Sequence, residues 1–299
     1  IECRYHRRFK ANRKGNKLMI QQIAIQGGAG SFSHMATLKI FPNAEIKFCA
    51  TFEETFLLAT QESDINLVLP SENTVAGRVP GVYSLLQKYS LQIYAEHFEK
   101  ISHNLLAVKG ATLDSIKNVH SHIHALGQCR RMILNHKLKE VIESDTAFSA
   151  RYVSEKGDKT EAAIASKLAA QTYGLQILKS NVEDEPGANV TRFLVMGKES
   201  RHPEFIKEKN FITSCIFQLK SIPSALYKCL GSFSGYGINL CRLESFSLKN
   251  TFKQVAFYIE IEKHIEDPIM QKALEELGFH CETLTILGCY PASSYRSNS

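Results

Sequence analysis

The order of predicted elements changes at residues 198–210, and no other feature constrains the fold of this chain as tightly. That stretch, from Lys198 to Asn210, is charged and carries Pro203, the composition of a linker. Beyond it, hydrophobic periodicity predicts a strand (211–219), a helix (224–232), strands (237–247 and 254–261), a helix (268–277) and a last strand (281–287). Gly278 stands where the second of these helices should stop. This βαββαβ order is the ferredoxin-like split unit of about 80 residues.

Ahead of the linker, short apolar strands alternate with helices, the pattern of an α/β fold. The first strand (22–25) runs into Gly27-Gly28-Ala29-Gly30-Ser31-Phe32-Ser33 and a helix to about Ile40. Amides of such a loop and of the helix N-terminus can hold an anion, with Ser31 and Ser33 adding hydroxyls; a tight turn is the plain alternative. The loop lacks the G-x-G-x-x-G spacing and the Lys of a P-loop. A strand at 46–50 and a helix at 51–61 follow, with Thr51 and Glu54 spaced as a capping box. The third strand (65–69) is apolar throughout and ends at Pro70-Ser71-Glu72-Asn73-Thr74. Polar residues at the carboxyl end of a parallel strand sit where open α/β sheets bind ligands, although Asn73 and Thr74 could equally cap the next helix. Residues 91–108 are extended, and a second series follows: Val119 to His124, helix 126–135, strand 140–143, helix 146–155, strand 161–165, helix 167–173. His120, His122 and His124 would share one face of a strand. With no carboxylate or Cys evident to complete a metal set, a polar edge facing a cleft is the expectation.

Length and charge narrow the class. At 299 residues with 44% apolar and 22% charged residues, the chain reads as a globular protein of two domains, each able to bury its own core, with no apolar run near the ~20 residues of a membrane span. The net charge of +6 resides entirely in residues 1–18, where seven Lys and Arg face one acid, Glu2. The folded body is therefore neutral, which argues against a nucleic-acid surface. The leader has no secretory apolar core, and Met19 stands just before the first strand. Residues 1–18 read either as upstream or added sequence or as a short disordered arm. Eight cysteines without a C-x-x-C pair read as reduced core residues of a cytoplasmic protein, and no metal is expected.

The chemistry concentrates in Asn189-Val190-Thr191-Arg192-Phe193-Leu194-Val195-Met196. A Pro-Gly loop delivers a hydroxyl, a guanidinium and an aromatic ring onto an apolar strand. Arg192 presents a planar fork suited to a carboxylate. A structural ion pair at the strand end accounts for the same Arg.

Four blocks then add up to a known family. Gly27 to Ser33 matches G-P-x-G-S-F-S with Gly28 in place of Pro; Pro70-Ser71-Glu72-Asn73-Thr74 looks like P-I-E-N-S; Ser121 to Cys129 resembles S-H-P-Q-A-L-x-Q-C, with Ile123 and His124 at the Pro and Gln positions; and Thr191-Arg192-Phe193 is T-R-F intact. Over about residues 20–291 the chain resembles the monofunctional bacterial prephenate dehydratases, which carry a C-terminal ACT regulatory domain. The resemblance implies a two-lobed α/β catalytic domain like periplasmic binding proteins plus a ferredoxin-like ACT domain. The expected organisation is a leader at 1–19; a catalytic domain at 20–197, with lobe 1 at about 20–96 and 178–197 and lobe 2 at about 97–177; a linker at 198–210; an ACT domain at 211–291; and a tail at 292–299.

It also implies decarboxylating dehydration of prephenate to phenylpyruvate in phenylalanine biosynthesis, with no cofactor. Thr191 is expected to hydrogen-bond the departing hydroxyl, Arg192 to bind a carboxylate and Phe193 to wall the ring. Ser31, Ser33 and Gly30 would bind the other carboxylate, and Asn73, Thr74 and Gln128 would orient the substrate. Glu72 and His122 are the titratable rivals for general acid and further substrate contacts; a second carboxylate near a dianion would repel it unless protonated, so a loop anchor is the preferred role of Glu72. In the ACT unit, Ser224-Ala225-Leu226 and Glu244-Ser245-Phe246-Ser247 replace the family's G-A-L and E-S-R-P. Ser224, Ala225, Leu226, Asn239, Leu240, Glu244 and Ser245 are the candidate phenylalanine contacts, and a homodimer or homotetramer through ACT domains is expected. Arogenate dehydratase and a non-catalytic amino-acid sensor are the alternative readings.

Overall fold

A computed structural model describes residues 22–62, 64–199, 202–247 and 255–297. The leader at 1–19 lies outside the described residues, as do parts of the linker and tail. Three sheets organise the chain. The first is built from β1 (Gln22–Gln26), β2 (Glu45–Cys49), β3 (Ile65–Asn73), β4 (Gly77–Arg78), β5 (Gln92–Lys100) and β11 (Val190–Gly197), in the order β2-β1-β3-β11-β5 with β4 on the end of β3. The strands β1, β2 and β3 pair in parallel, and β11 is inserted antiparallel between β3 and β5. The second sheet holds β6 (Asn104–Ala107), β7 (Asn118–Ser121), β8 (Lys139–Ile142), β9 (Glu161–Ala165) and β10 (Gln176–Lys179), in the order β10-β6-β9-β7-β8. Two crossovers join the lobes, 101–103 outward and 180–189 back. They run side by side, with the Ile101 amide donating to the Asn189 carbonyl at 2.9 Å.

Strand pairing sharpens the approximate lobe bounds. Strand β5 pairs with β11 as far as Lys100, so lobe 1 extends past residue 96. Strand β10 pairs with β6, so residues 176–179 stay in lobe 2 instead of opening the return to lobe 1.

Helices fall where their caps are. Ser31 accepts the His34 amide at the start of α1 (Phe32–Ile40). Thr51 accepts the Glu54 amide ahead of α2 (Phe52–Gln61), while Glu54 reaches back to the Ala50 amide at 2.7 Å, one residue before the expected partner. The next is α3 (Val82–Tyr89). The single helix expected at 126–135 is two short ones, α4 (Ile123–Gln128) and α5 (Arg130–Asn135), broken at Cys129. Lobe 2 is completed by α6 (Thr146–Lys156) and α7 (Lys167–Tyr173).

The third sheet has the expected βαββαβ topology: β12 (Phe211–Leu219), α8 (Ala225–Ser234), β13 (Leu240–Ser247), β14 (Val255–Ile261), α9 (Pro268–His280) and β15 (Cys281–Pro291), ordered β13-β14-β12-β15. Helix α9 continues through Gly278 to His280, so that glycine does not end it. The seven described cysteines are free thiols, and all but Cys241 are buried.

Packing decides what each face of β11 meets. Phe193 and Val195 join Ile23, Ile25, Ala36 and Val68 in a core under α1. Leu194 and Met196 face the opposite way, into a core shared by α2, α3 and the third sheet, where Ile212, Ile216, Tyr258 and Tyr290 are buried. The third sheet is thus packed directly against lobe 1, with Tyr83 stacked on Tyr258 at 4.2 Å between centroids. At Gly288 the approach to β5 is so close that an added Cβ would lie 1.8 Å from the Ile93 carbonyl oxygen.

Candidate active site

Thr191 opens β11 where the two crossovers meet, and it is 9% exposed. Its Oγ1 accepts a hydrogen bond from Asn73 Nδ2 at 2.9 Å, and Asn73 Nδ2 also donates to Asn189 Oδ1 at 2.6 Å. Asn189 Nδ2 donates to Gln128 Oε1 at 2.6 Å, and the same oxygen lies 2.9 Å from His103 Nε2. Residues from lobe 1, both crossovers and α4 of lobe 2 therefore form one polar chain. Asn73 is held in turn by the amides of Val75 and Ala76, which donate to its Oδ1 at 3.0 and 2.8 Å. Because Thr191 accepts from Asn73, its own hydrogen is left for an acceptor elsewhere, and none is found among the described residues. Register along β11 slips between Arg192 and Phe193 against β3, the kind of bulge that re-aims side chains next to a site.

The glycine loop packs against lobe 2. Ser166 Oγ, the cap of α7, donates to the Gly30 carbonyl at 2.5 Å, and the Tyr173 hydroxyl donates to the Ala29 carbonyl at 2.8 Å. Gly30 has φ +83°, and a Cβ there would stand 2.7 Å from Ala169 Cα. Both facts require glycine. The Gly30 amide donates to His34 Nδ1 at 3.0 Å, so it is not the free anion donor expected. The Ser31 hydroxyl caps α1. The Ser33 hydroxyl makes no hydrogen bond among the described residues, and Phe32 places its ring edge against His103 at 5.5 Å.

Arg192 does not face this chain. Alternation along β11 turns its side chain to the opposite face, where it is 2% exposed under the third sheet. Its guanidinium meets Glu260 Oε1 at 2.6 Å and Glu96 Oε2 at 2.7 Å, and donates to the Tyr290 hydroxyl at 3.1 Å. Arg296 closes the network on both carboxylates, reaching Glu96 at 2.7 Å and Glu260 at 2.8 Å. Burial alone would raise the Glu260 carboxyl, but Arg192, Arg296 and the Tyr258 hydroxyl hold it down at about 2. Burial works against the Arg192 charge, yet Glu260, Tyr290, Tyr258 and Glu96 raise its pKa well above the usual value. Every strong donor of Arg192 is thus taken by protein, and the structural ion pair, not the carboxylate clamp, is its role in this fold.

Three further expectations are corrected in the same way. Glu72 pairs with Arg242 of the third sheet and lies 4.0 Å from Arg192, so it anchors the domain interface and is not placed as a general acid. Phe193 is 1% exposed in the core under α1 and cannot wall a substrate ring. The Thr74 hydroxyl donates to the Ala188 carbonyl at 2.5 Å and accepts the Val190 amide at 2.9 Å, which fixes the loop before Thr191 instead of touching substrate.

The three histidines do not share a face, because β7 ends at Ser121. His120 is buried between Glu143 and Glu161, at 3.0 and 2.6 Å, carboxylates that sequence spacing did not reveal. His122 caps α4, its ring tilted against that of His124 at 5.0 Å; burial, then the His124 charge, lowers its pKa. No group of three or more His, Cys, Asp or Glu able to hold a metal occurs among the described residues. Sequence reading passed over His103 and Asn189 as site residues. An Asn two positions ahead of a Thr on a loop-to-strand junction was the available signal for the latter; His103 carried none.

In the third sheet, Ser224, Ala225 and Leu226 line an open groove of about 520 Å³ with residues 219–223, Tyr227 and Val255. Glu244 and Ser245 lie away from it, Glu244 pairing with Arg242 and Arg78, and the Ser245 carbonyl accepting from Arg78. Asn239 donates to Glu262 at 2.6 Å, and Leu240 begins β13 beside Ile261. One chain therefore does not gather the seven candidate effector residues into one site.

Known proteins agree with this architecture. The family model described as prephenate dehydratase matches residues 23–201. A bifunctional N-acyl-homoserine lactone acylase/prephenate dehydratase of Komagataeibacter europaeus is 40% identical over 277 residues, 92% of this chain and 97% of that protein. Arogenate dehydratase/prephenate dehydratase 1 of Arabidopsis thaliana is 36% identical over 289 residues, 92% of this chain and 73% of that protein. Among solved structures, the prephenate dehydratase of Arthrobacter aurescens in complex with L-Phe aligns with a TM-score of 0.80 at 27% identity, covering 91% of this chain and 92% of that one. Those neighbours join a periplasmic-binding-protein-like domain to a C-terminal ACT domain, the two parts seen in this fold. No helix among the described residues is long and apolar enough to cross a membrane. The chain belongs to the prephenate dehydratase family, whose members are hydro-lyases.

Proposed function

We propose that the protein converts prephenate to phenylpyruvate, water and CO2 in phenylalanine biosynthesis. One observation carries the reading: a threonine hydroxyl, oriented by Asn73 to keep its hydrogen free, sits at the junction of two lobes. That hydrogen suits the ring hydroxyl of prephenate, which must leave as water. A Thr hydroxyl is too weak an acid to ionise fully, so it donates or relays a proton as the C–O bond breaks. The ring carboxylate leaves as CO2, its bonding electrons complete the aromatic ring, and the departing hydroxyl takes up the proton from Thr191 to leave as water, Thr191 regaining a proton from solvent.

With Arg192 committed elsewhere, neutral donors are left to hold the substrate anions: the Gln128 amide, the Ser33 hydroxyl and the first amides of α1, where the helix dipole adds to the attraction. This arrangement favours the reaction. A guanidinium fork would stabilise the carboxylate in the ground state and oppose its loss as neutral CO2, whereas neutral donors bind it without fixing its charge. Asn73 then orients Thr191, and Ser31 sets the start of α1.

The Arthrobacter structure with L-Phe supports phenylalanine as effector through the ACT domain. Assembly through ACT domains is part of this reading, with the 224–226 groove of one chain and Glu244 and Ser245 of another brought together only in the assembled form. An acylase reaction, as in the name of the Komagataeibacter relative, would need a base beside its nucleophile. The Thr191 oxygen meets an amide donor instead, so the dehydratase reading is preferred.

Separate incubations with prephenate, arogenate and an N-acyl-homoserine lactone test this. The expected outcome is phenylpyruvate, followed by its ultraviolet absorbance, formed from prephenate faster than phenylalanine from arogenate, with the lactone intact. Absence of the keto acid overturns the reading, and faster turnover of arogenate reassigns the substrate.

A further inference from the structure

The hydrogens of the polar chain at the lobe junction can be assigned one after another. The Val75 and Ala76 amides can only donate, so the Asn73 atom facing them is Oδ1 and the atom facing Asn189 and Thr191 is Nδ2. Asn189 must then turn Oδ1 toward Asn73, at 2.6 Å, and Nδ2 toward Gln128. The Gln128 atom that receives Asn189 is therefore Oε1, and His103, 2.9 Å from that same oxygen, must present Nε2 as a donor. A carbonyl oxygen has two lone pairs, and both are now used. The Gln128 amide nitrogen makes no hydrogen bond among the described residues, and the residue is partly exposed.

We propose that His103 is a positioning residue for the reaction: held as the Nε2–H tautomer, it joins Asn189 in occupying the Gln128 carbonyl, so that Gln128 can offer substrate only its NH2 group. An amide free to turn over would bring a carbonyl oxygen toward an anionic substrate half the time. Fixed from behind by two donors, it presents hydrogens alone, and Thr191, fixed by the other end of the chain, does the same. The residue is built for this. His103 is 3% exposed, its backbone amide donates to Glu183 Oε2 at 3.0 Å, and its Nδ1 is buried with no partner among the described residues. Burial lowers its pKa, against smaller opposing effects of the Gln128 hydrogen bond and the Glu183 charge, and keeps Nδ1 unprotonated.

The identity of the substrate anion rests on the dehydratase reading; the tautomer does not. Nitrogen-15 NMR of the full chain labelled at histidine should show one imidazole with protonated Nε2 and bare Nδ1 whose signals vanish in His103→Gln. A Nδ1–H tautomer for His103 overturns the proposal. In prephenate kinetics, His103→Gln places an amide N–H three bonds from Cβ, as in imidazole Nε2, and should keep KM within about threefold of wild type. His103→Leu removes the donor and should raise KM about tenfold, the scale of one lost hydrogen bond. A purely structural role would lower the fraction of active enzyme at unchanged KM, and that result, or a raised KM in His103→Gln, also overturns it. Wild-type protein inert toward both prephenate and arogenate would sink the functional reading while the NMR result still decides the tautomer.

Discussion

Replacing Glu260 with Gln tests the link between the ACT sheet and the strand that carries Thr191. The wild-type carboxylate is fully buried against Arg192 and Arg296 at 2.6 and 2.8 Å and accepts the Tyr258 hydroxyl at 2.5 Å. The amide keeps the shape and removes the charge, leaving two guanidiniums to share Glu96. Losing one partner of a buried ion pair costs about 3–5 kcal/mol. Lowering of the Glu260 pKa from 4.5 to about 2 gives an independent figure of roughly 3 kcal/mol, through the link between proton binding and folding. A chain of this size loses roughly 2–4 °C of melting temperature per kcal/mol, so a fall of about 10 °C is expected by calorimetry at pH 7. The pH dependence has a definite sign. A folded-state pKa below the unfolded value means the contribution is complete above pH 4.5 and is lost as pH falls toward 2. The gap between wild type and Glu260→Gln should therefore be constant from pH 5 to 8 and close on acidification below 4.5. Because Arg192 is covalently next to Thr191, its displacement should also lower kcat more than it raises KM. A variant that melts within a degree of wild type at pH 7 and turns over at the same rate would refute the reasoning.

Four other outcomes follow from the site. Thr191→Ala should lower kcat by about a hundredfold or more with KM little changed, read in steady-state kinetics. Asn73→Asp replaces the donor facing Thr191 with an acceptor that draws in the hydroxyl hydrogen, and kcat should fall by about tenfold or more. Gly30→Ala introduces both a left-handed strain and a Cβ 2.7 Å from Ala169 Cα, and should destabilise the chain by roughly 2 kcal/mol or more in a denaturant melt. Titration of the full chain with L-phenylalanine in a calorimeter should give heat and inhibition; neither would remove the effector.

Elements were legible in the sequence where local rules act alone. Strand 161–165 and helix 167–173 came out to the residue because Ser166 and Gly174 cap the helix by short-range chemistry. The direction of a side chain was legible only in part. Thr191, Arg192 and Phe193 read as one motif, yet alternation and a bulge send them to a junction, a domain interface and a core. What covers the Arg192 face of β11 is a domain whose first strand begins fourteen residues after β11 ends, and nothing within the motif encodes that. The same holds for Glu72, whose partner Arg242 is 170 residues away. His120 drew notice as one of three alternating histidines, but the early end of β7 and the pairing of β7 with β9 decided its partners.

Gly288 sets a limit on how messages can pass through this molecule. A side chain as small as a methyl would collide with the Ile93 carbonyl, so the last strand of the third sheet and the edge strand of the first touch backbone to backbone. Two slabs in such contact have no room to swing apart on the tether that joins them without first giving up that seam. Any rearrangement of the third sheet must therefore be felt directly at β5 and, through Glu260, at Arg192 beside Thr191.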